Sequence, residues 1–281
     1  MRKLGKRHEQ AFVFVATPCY QGKIDADTYL SCLDATAVSC HADRVGLASR
    51  YIRTHFATMG NGAFIELARN TMVKMFLETE CTHLFFIDGD LKFESRAFVD
   101  MVRLNRPIMA GAYRRRQEPE NYPIMLQPDP KTQSLWFKDN AVMCSRVPTG
   151  FMCIRRDVIE EMVADPKIGA INSTTGKIVK SMKQPDSKDW PEIPWLFYTK
   201  FDEKDHYVGE DFSFCDDYVK KYGEYIPVYP DWDFVHGGYK CNLNNYLNDK
   251  HDAALSIVNK EWAPTVPHVA AATNTEKTEA A

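Results

Sequence analysis

His83-Leu84-Phe85-Phe86-Ile87-Asp88-Gly89-Asp90 begins as an unbroken apolar run of strand length and ends on two carboxylates separated by a glycine. An apolar run without polar alternation reads as a strand buried on both faces, the kind found in a sheet covered by helices on either side. Before it, residues 63–79 carry a helical pattern with Asn61 or Gly62 available as cap. Earlier, Phe12-Val13-Phe14-Val15-Ala16 reads as another buried strand, broken by Thr17-Pro18-Cys19-Tyr20-Gln21-Gly22, where proline and glycine force a loop. Between these lie a helical segment over 27–39 and an expected strand over 44–52. Beyond Asp90, residues 95–103 read as helix and 108–113 as strand. Alternation of this kind predicts an α/β fold, a mostly parallel central sheet flanked by helices. In such a sheet ligands collect at the carboxyl ends of the strands, where both the Thr17 loop and the Asp88 loop would lie.

The second half is more mixed. Short strands are expected near 135–137, 142–147 and 151–154, then a helix over 156–164, a long polar loop over 166–190 and a helix over 212–222. A loop of that length is usually functional, and closure over a ligand as a lid is one expectation for it. The organisation expected is one domain over residues 1–262 and a disordered tail over 263–281, where Pro, Thr, Ala and Glu replace any periodicity.

Bulk properties narrow the function. The chain has 281 residues, 44% hydrophobic, enough to build a sizeable core, and a net charge of −3, which offers nucleic acid no global attraction. Arg114-Arg115-Arg116 is the best local basic patch, although such triplets are commonly solvated loops. The basic opening, residues 1–8, leads into a short apolar stretch, 11–17, too short for a membrane span and not followed by a small-residue cleavage site. No run of about 18 apolar residues follows, so no membrane span is expected. Eight cysteines without a Cys-x-x-Cys pair read as reduced core residues of a cytoplasmic protein.

Asp88 and Asp90 suit a hard divalent cation such as Mn²⁺ or Mg²⁺, which could grip a diphosphate. Taken singly, each candidate has an ordinary structural explanation as well. Asp-x-Asp also caps strands. Glu210 and Asp211, placed after Gly209 at a helix start, also serve as first-turn acids, although an ionised carboxylate there could take a proton from a hydroxyl. His236, beside Gly237-Gly238, could complete a metal shell or sit in a polar loop. Gly150, between two strand-like segments, marks close backbone approach to a large group or a simple bulge.

Taken in order, Asp88/Asp90, Gly150, Glu210/Asp211 and His236 resemble the motifs of the GT-A glycosyltransferases, soluble family-2-like members of the kind found in phages and bacteria. Thr17-Pro18-Cys19-Tyr20 resembles their first nucleotide-binding loop, and Leu67-Ala68-Arg69-Asn70 the helix that leads into their Asp-x-Asp strand. The resemblance spans residues 11–240 and implies a GT-A fold with a smaller mixed sheet on the acceptor side. It implies a nucleotide-diphosphate sugar as donor, with uridine the commonest base. Asp90 would bind the metal directly, Asp88 would assist it and hold the ribose, and His236 would be the late ligand. Thr17, Pro18, Tyr20, Arg69, Asn70 and Gly150 would line the donor. Asp211 would be the base of an inverting transfer, with Glu210 orienting the acceptor. The Gln-x-x-Arg-Trp signature of processive synthases is absent, which favours transfer of one sugar to a soluble acceptor, a saccharide or a hydroxymethylated DNA base. A protein that binds nucleotide sugar without catalysis is the alternative. A sugar-1-phosphate nucleotidyltransferase ranks below both, because the loop after the first strand lacks the expected glycines. The expected compartment is the cytoplasm of a bacterial or infected host cell.

Overall fold

The computed structural model describes residues 10–44, 51–60, 64–165, 170–171, 178–179, 181–182 and 193–249. The strands are β1 (Gln10–Cys19), β2 (Tyr51–Gly60), β3 (His83–Ile87), β4 (Leu91–Phe93), β5 (Ile108–Ala110), β6 (Met125–Leu126), β7 (Phe137–Lys138), β8 (Ala141–Arg146) and β9 (Phe151–Arg155). Next come the two-residue strands β10 (Ala170–Ile171), β11 (Ile178–Val179), β12 (Ser181–Met182), β13 (Ile193–Pro194), β14 (Lys200–Phe201) and β15 (Tyr207–Val208), followed by β16 (Ile226–Val228), β17 (Asp233–His236) and β18 (Tyr239–Asn242). The helices are α1 (Ala26–Arg44), α2 (Ile65–Leu77), α3 (Ser95–Leu104), α4 (Arg156–Ala164), α5 (Glu210–Tyr222) and α6 (Leu243–Asp249).

The fold is α/β. The large sheet runs β2-β1-β3-β9-β5-β16-β8-β6, with β7 also on β8. Strands β2, β1 and β3 are parallel, β9 runs against β3 and β5, β16 is parallel to β5, and β8 runs against β16, β6 and β7. The sheet is therefore mixed, with β8 and β9 opposing the remaining strands. Helix α1 packs on β2, β4 and α3, while α2 packs on β1, α4 and β13. The β1-α1-β2 crossover runs one way along the sheet and the β2-α2-β3 crossover runs back across β1, and right-handed connections of opposite direction put their helices on opposite faces. All five residues of β3 are accordingly buried.

A second sheet, β18-β17-β4, is antiparallel throughout, not mixed as expected. Phe151 of β9 joins the two layers: its ring meets Phe85 of β3 at 4.9 Å, Phe93 of β4 at 4.9 Å and Phe234 of β17 at 5.0 Å. Gly111 lies in this junction, where a Cβ would stand 2.6 Å from the Phe234 ring and 2.7 Å from that of Phe151. The small sheet is thus fixed over the carboxyl end of β3, which carries Asp88 and Asp90.

Several expectations move. The strand expected over 44–52 is β2, and α1 extends to Arg44. Phe64, without a side-chain cap bond, stands at the N-cap of α2; Asn61 and Gly62 lie outside the described residues. Within 166–190 the described residues form β10–β11 and β12 against β13, and the remainder lies outside the described residues, as does the tail over 263–281. Among the described residues no helix is long and apolar enough to cross a membrane. Cys19, Cys32, Cys81, Cys144, Cys153, Cys215 and Cys241 are free and buried.

Asn70 is a structural tie. Its Nδ2 donates to the carbonyls of Glu66 (2.8 Å) and Phe197 (2.7 Å), and its Oδ1 accepts from Leu196 N (2.8 Å) and Phe197 N (3.0 Å). The Phe197 ring in turn stacks on Phe214 of α5 at 4.5 Å. Asn70→Ala strands these backbone groups, and a loss of about 2–3 kcal/mol, read from the urea midpoint, is expected.

Candidate functional site

The carboxyl ends of β1 and β3 open into a cleft of about 630 Å³. It is lined by Pro18, Cys19, Gln21, Lys23 and Asp25 from the end of β1 and the turn after it, by Ile65, Ala68 and Arg69 of α2, and by Asp88, Gly89, Asp90, Arg116 and His236. The turn after β1 is tied to the acidic loop by a hydrogen bond from Asp25 N to Gly89 O of 2.7 Å.

Asp88 and Asp90 face different partners. Asp88 Oδ1 lies 3.5 Å from Arg69 Nη2, and its Oδ2 accepts from the Tyr113 hydroxyl at 3.1 Å. Burial, reinforced by Asp88, holds the Tyr113 phenol well above its ordinary pKa, so it remains a donor. Asp90 turns instead to Arg116, whose Nη2 contacts Oδ2, and to His236, whose Nε2 lies 3.6 Å from Oδ1. His236 Nδ1 donates to Arg114 O at 2.8 Å, which leaves Nε2 as an acceptor for Arg116 Nε at 3.1 Å. Burial, and then the Arg116 charge, lower the imidazole pKa, which favours the neutral ring.

Behind Asp88 lies a cluster of half-buried carboxylates around the buried Arg69. Arg69 reaches Asp88 with Nη2 and Glu210 Oε1 with Nε, each at 3.5 Å. Burial opposes the guanidinium charge, and the carboxylates of Asp88, Glu210 and Asp211 overrule it, raising its pKa. Asp211, at the start of α5, accepts from Phe212 N at 2.8 Å. Desolvation, and then Glu210, push its pKa up to about 6.

The expected residues therefore divide. Pro18, Arg69, Asp88, Asp90 and His236 come together at one cleft. Asn70 is fully buried with its amide spent on the backbone, and Thr17 is buried in β1, so neither reaches the cleft as expected. Gly150 meets Asp88 rather than open cleft: its carbonyl accepts from Asp88 N at 2.9 Å, and a Cβ would stand 2.1 Å from Asp88 Oδ2. Tyr20 opens the turn after β1, and its side chain lies outside the described residues. Glu210 and Asp211 do not line the cleft; they connect to it through Arg69.

The arginine triplet is not one patch. Arg114 is buried, paired with Glu118 at 2.9 Å and lying 4.7 Å over the Tyr239 ring; Arg115 is exposed; Arg116 enters the cleft. Sequence reasoning missed Tyr113, and it offered Arg116 only as part of the basic triplet, not as a residue of this cleft. Their available signal was position, just past the carboxyl end of β5 on the edge where Asp88 lies.

Among the described residues no three His, Cys, Asp or Glu side chains are arranged to hold a metal. Asp90 and His236 nonetheless bring a carboxylate and an imidazole lone pair to one point, and Mg²⁺ or Mn²⁺ commonly completes its shell with water and phosphate oxygens. Two protein donors fit that chemistry.

In overall structure the chain is similar to A197 from STIV (14% identity over 80% of this chain and 84% of that one, TM-score 0.43). It is also similar to the inositol-1-phosphate CTP transferase from T. maritima (10%, 91% and 99%, TM-score 0.37) and to HddC from Yersinia pseudotuberculosis (11%, 74% and 96%, TM-score 0.28). No protein-family model and no curated protein matches the chain.

Proposed function

We propose that this protein is a nucleotide-dependent transferase and, more finely, a metal-dependent glycosyltransferase that moves one sugar from a nucleotide-diphosphate sugar to an acceptor hydroxyl. The carrying observation is the cleft at the carboxyl edge of β1 and β3, where Asp90 and His236 converge beside a wall built from Pro18, Gln21, Lys23 and Arg69. Its volume suits a nucleotide. Lys23 and Arg116 supply positive charge for a diphosphate, and the turn between Pro18 and Asp25 offers backbone groups to a base. A divalent cation held by Asp90 and His236 would offset the charge that grows on the leaving diphosphate. Arg69 holds Asp88 on one side and Glu210 on the other, which links the donor cleft to the acids of α5. In this reading the acceptor sits beside the cleft, next to the start of α5, where Asp211 takes its proton and Glu210 orients it.

The test is a thermal-shift screen of UDP, GDP, CDP, ADP and dTDP, each with and without Mn²⁺, on wild type and Asp90→Ala. A ligand at a hundred times its Kd stabilises by about 2.7 kcal/mol, which for a chain of this size is a rise of roughly 5 °C or more. One diphosphate is expected to give this rise only with Mn²⁺, and Asp90→Ala to abolish it. Flat melting curves with every nucleotide and metal combination would overturn the proposal.

A further inference from the structure

Arg116 has the surroundings of a cation site, not those of a loop arginine. Its Nη2 contacts Asp90 Oδ2 while its Nε donates to His236 Nε2, so one guanidinium bridges both groups to which the metal is assigned. Asp90 Oδ1 and His236 Nε2 face each other at 3.6 Å. Two lone-pair donors at that separation repel unless positive charge lies beside them. The imidazole cannot relieve this by protonating Nε2 at the expense of Nδ1, because Nδ1 is bound to Arg114 O. Space for the arginine comes from the β17–β18 turn. Gly237, with φ of +56°, would place a Cβ 2.6 Å from Arg116 Cδ, so a side chain there would evict it. Arg116 remains 49% exposed, with solvent to move into.

We infer that Arg116 is a tethered cation occupying the point between Asp90 and His236, which a divalent metal must take by displacing it. The inference rests on the cation site proposed above. Displacement makes metal binding conditional: apparent affinity falls by the fraction of time the arginine is out, so a guanidinium in place nine-tenths of the time weakens the metal about tenfold. Once displaced, it stands at the cleft wall as a positive charge for the incoming diphosphate.

The experiment is a titration with Mn²⁺ alone, free metal being counted by its EPR signal, on wild type, Arg116→Gln, Arg116→Lys and the double variant Arg116→Gln/Asp90→Asn. Arg116→Gln is expected to bind Mn²⁺ about tenfold more tightly than wild type, and the double variant to lose that gain. Arg116→Lys keeps the charge but not the fork that reaches both partners, and should recover much of the gain. If lysine behaves as arginine, plain charge repulsion accounts for the effect and the inference falls. Wild type and Arg116→Gln binding Mn²⁺ equally, with Asp90 required, would also overturn it while leaving the cation site standing. A gain that survives in the double variant places the metal elsewhere and overturns it too. No Mn²⁺ bound by any variant would remove the cation site itself, and the inference with it.

Discussion

Gly150→Ala is expected to cost about 3 kcal/mol of stability and to abolish the Mn²⁺-dependent nucleotide shift, because the added methyl enters space already held by the site. The Cβ would stand 2.1 Å from both Asp88 Oδ2 and the Tyr113 hydroxyl, and 2.4 Å from Asp88 Cγ. The backbone is not the obstacle, since Gly150 is not among the positive-φ glycines. Nor can the neighbours yield easily: Asp88 is held by Arg69, Tyr113 is buried, and the Gly150 carbonyl is tied to Asp88 N. The Asp88–Tyr113 hydrogen bond breaks first, and Asp88 turns from the position that Arg69 set. Urea denaturation gives the first number and the nucleotide thermal shift the second. Tyr113→Phe in the Gly150→Ala background removes one of the clashing atoms and should return part of the stability. Gly223→Ala is the control: φ is +64° there but nothing lies within 4 Å, so it should cost about 1 kcal/mol and leave ligand binding alone. A Gly150→Ala protein as stable as wild type and still responsive to nucleotide would sink this account.

The sequence was most legible where an element is buried throughout, as in β3 and β9, or carries a clear apolar face, as in α4. Strand β3 and helix α4 lie at the bounds their apolar patterns predict, and β9 extends its predicted range by one residue. Strand β2 was misplaced because it lies at the sheet edge with one neighbour, and Thr54, His55 and Thr58 dilute its apolar pattern. Strand β4 is three residues long, below the length at which alternation is a signal, and exists because β17 pairs with it from far along the chain. The candidate site divides on the same line. Asp88 and Asp90 were visible because they end a buried strand. Tyr113 was not, and Arg116 showed only as one of three adjacent arginines, since what places them is the β17–β18 turn and the charge cluster around Arg69, and both require the assembled fold. Asn70 illustrates a related point: a polar residue on a helix facing the expected cleft has the same sequence signature whether it meets a ligand or the backbone of residues 196–197.

Replacing Asp211 by asparagine should stabilise the protein at pH 8 and, at the same time, cut sugar transfer about 10²–10⁴-fold. The sign follows from the raised carboxyl. Its ordinary value is 3.8 and the folded protein holds it at about 6, chiefly because burial disfavours the charge. A raised value means that folding favours the protonated form. The associated stability is fully present below pH 4 and is lost as pH rises through about 6. At pH 8 wild type therefore carries a half-buried charge costing at most about 3 kcal/mol relative to a neutral group, using 1.36 kcal/mol per unit. Asparagine keeps an oxygen for Phe212 N and drops the charge, so its advantage should appear near pH 8 and shrink towards pH 4. The same carboxylate must be ionised to accept a proton, so wild-type kcat/KM should fall about tenfold per unit below pH 6, a limb the variant lacks. Nucleotide and Mn²⁺ binding should survive, because Asp211 does not line the cleft. An Asp211→Asn protein less stable than wild type at pH 8 would show Arg69 to be worth more to this carboxylate than desolvation costs it. An unchanged transfer rate would remove it as the base. If both expectations hold, the fold keeps a charge it would be more stable without, at the place where ionisation near neutral pH is of chemical use.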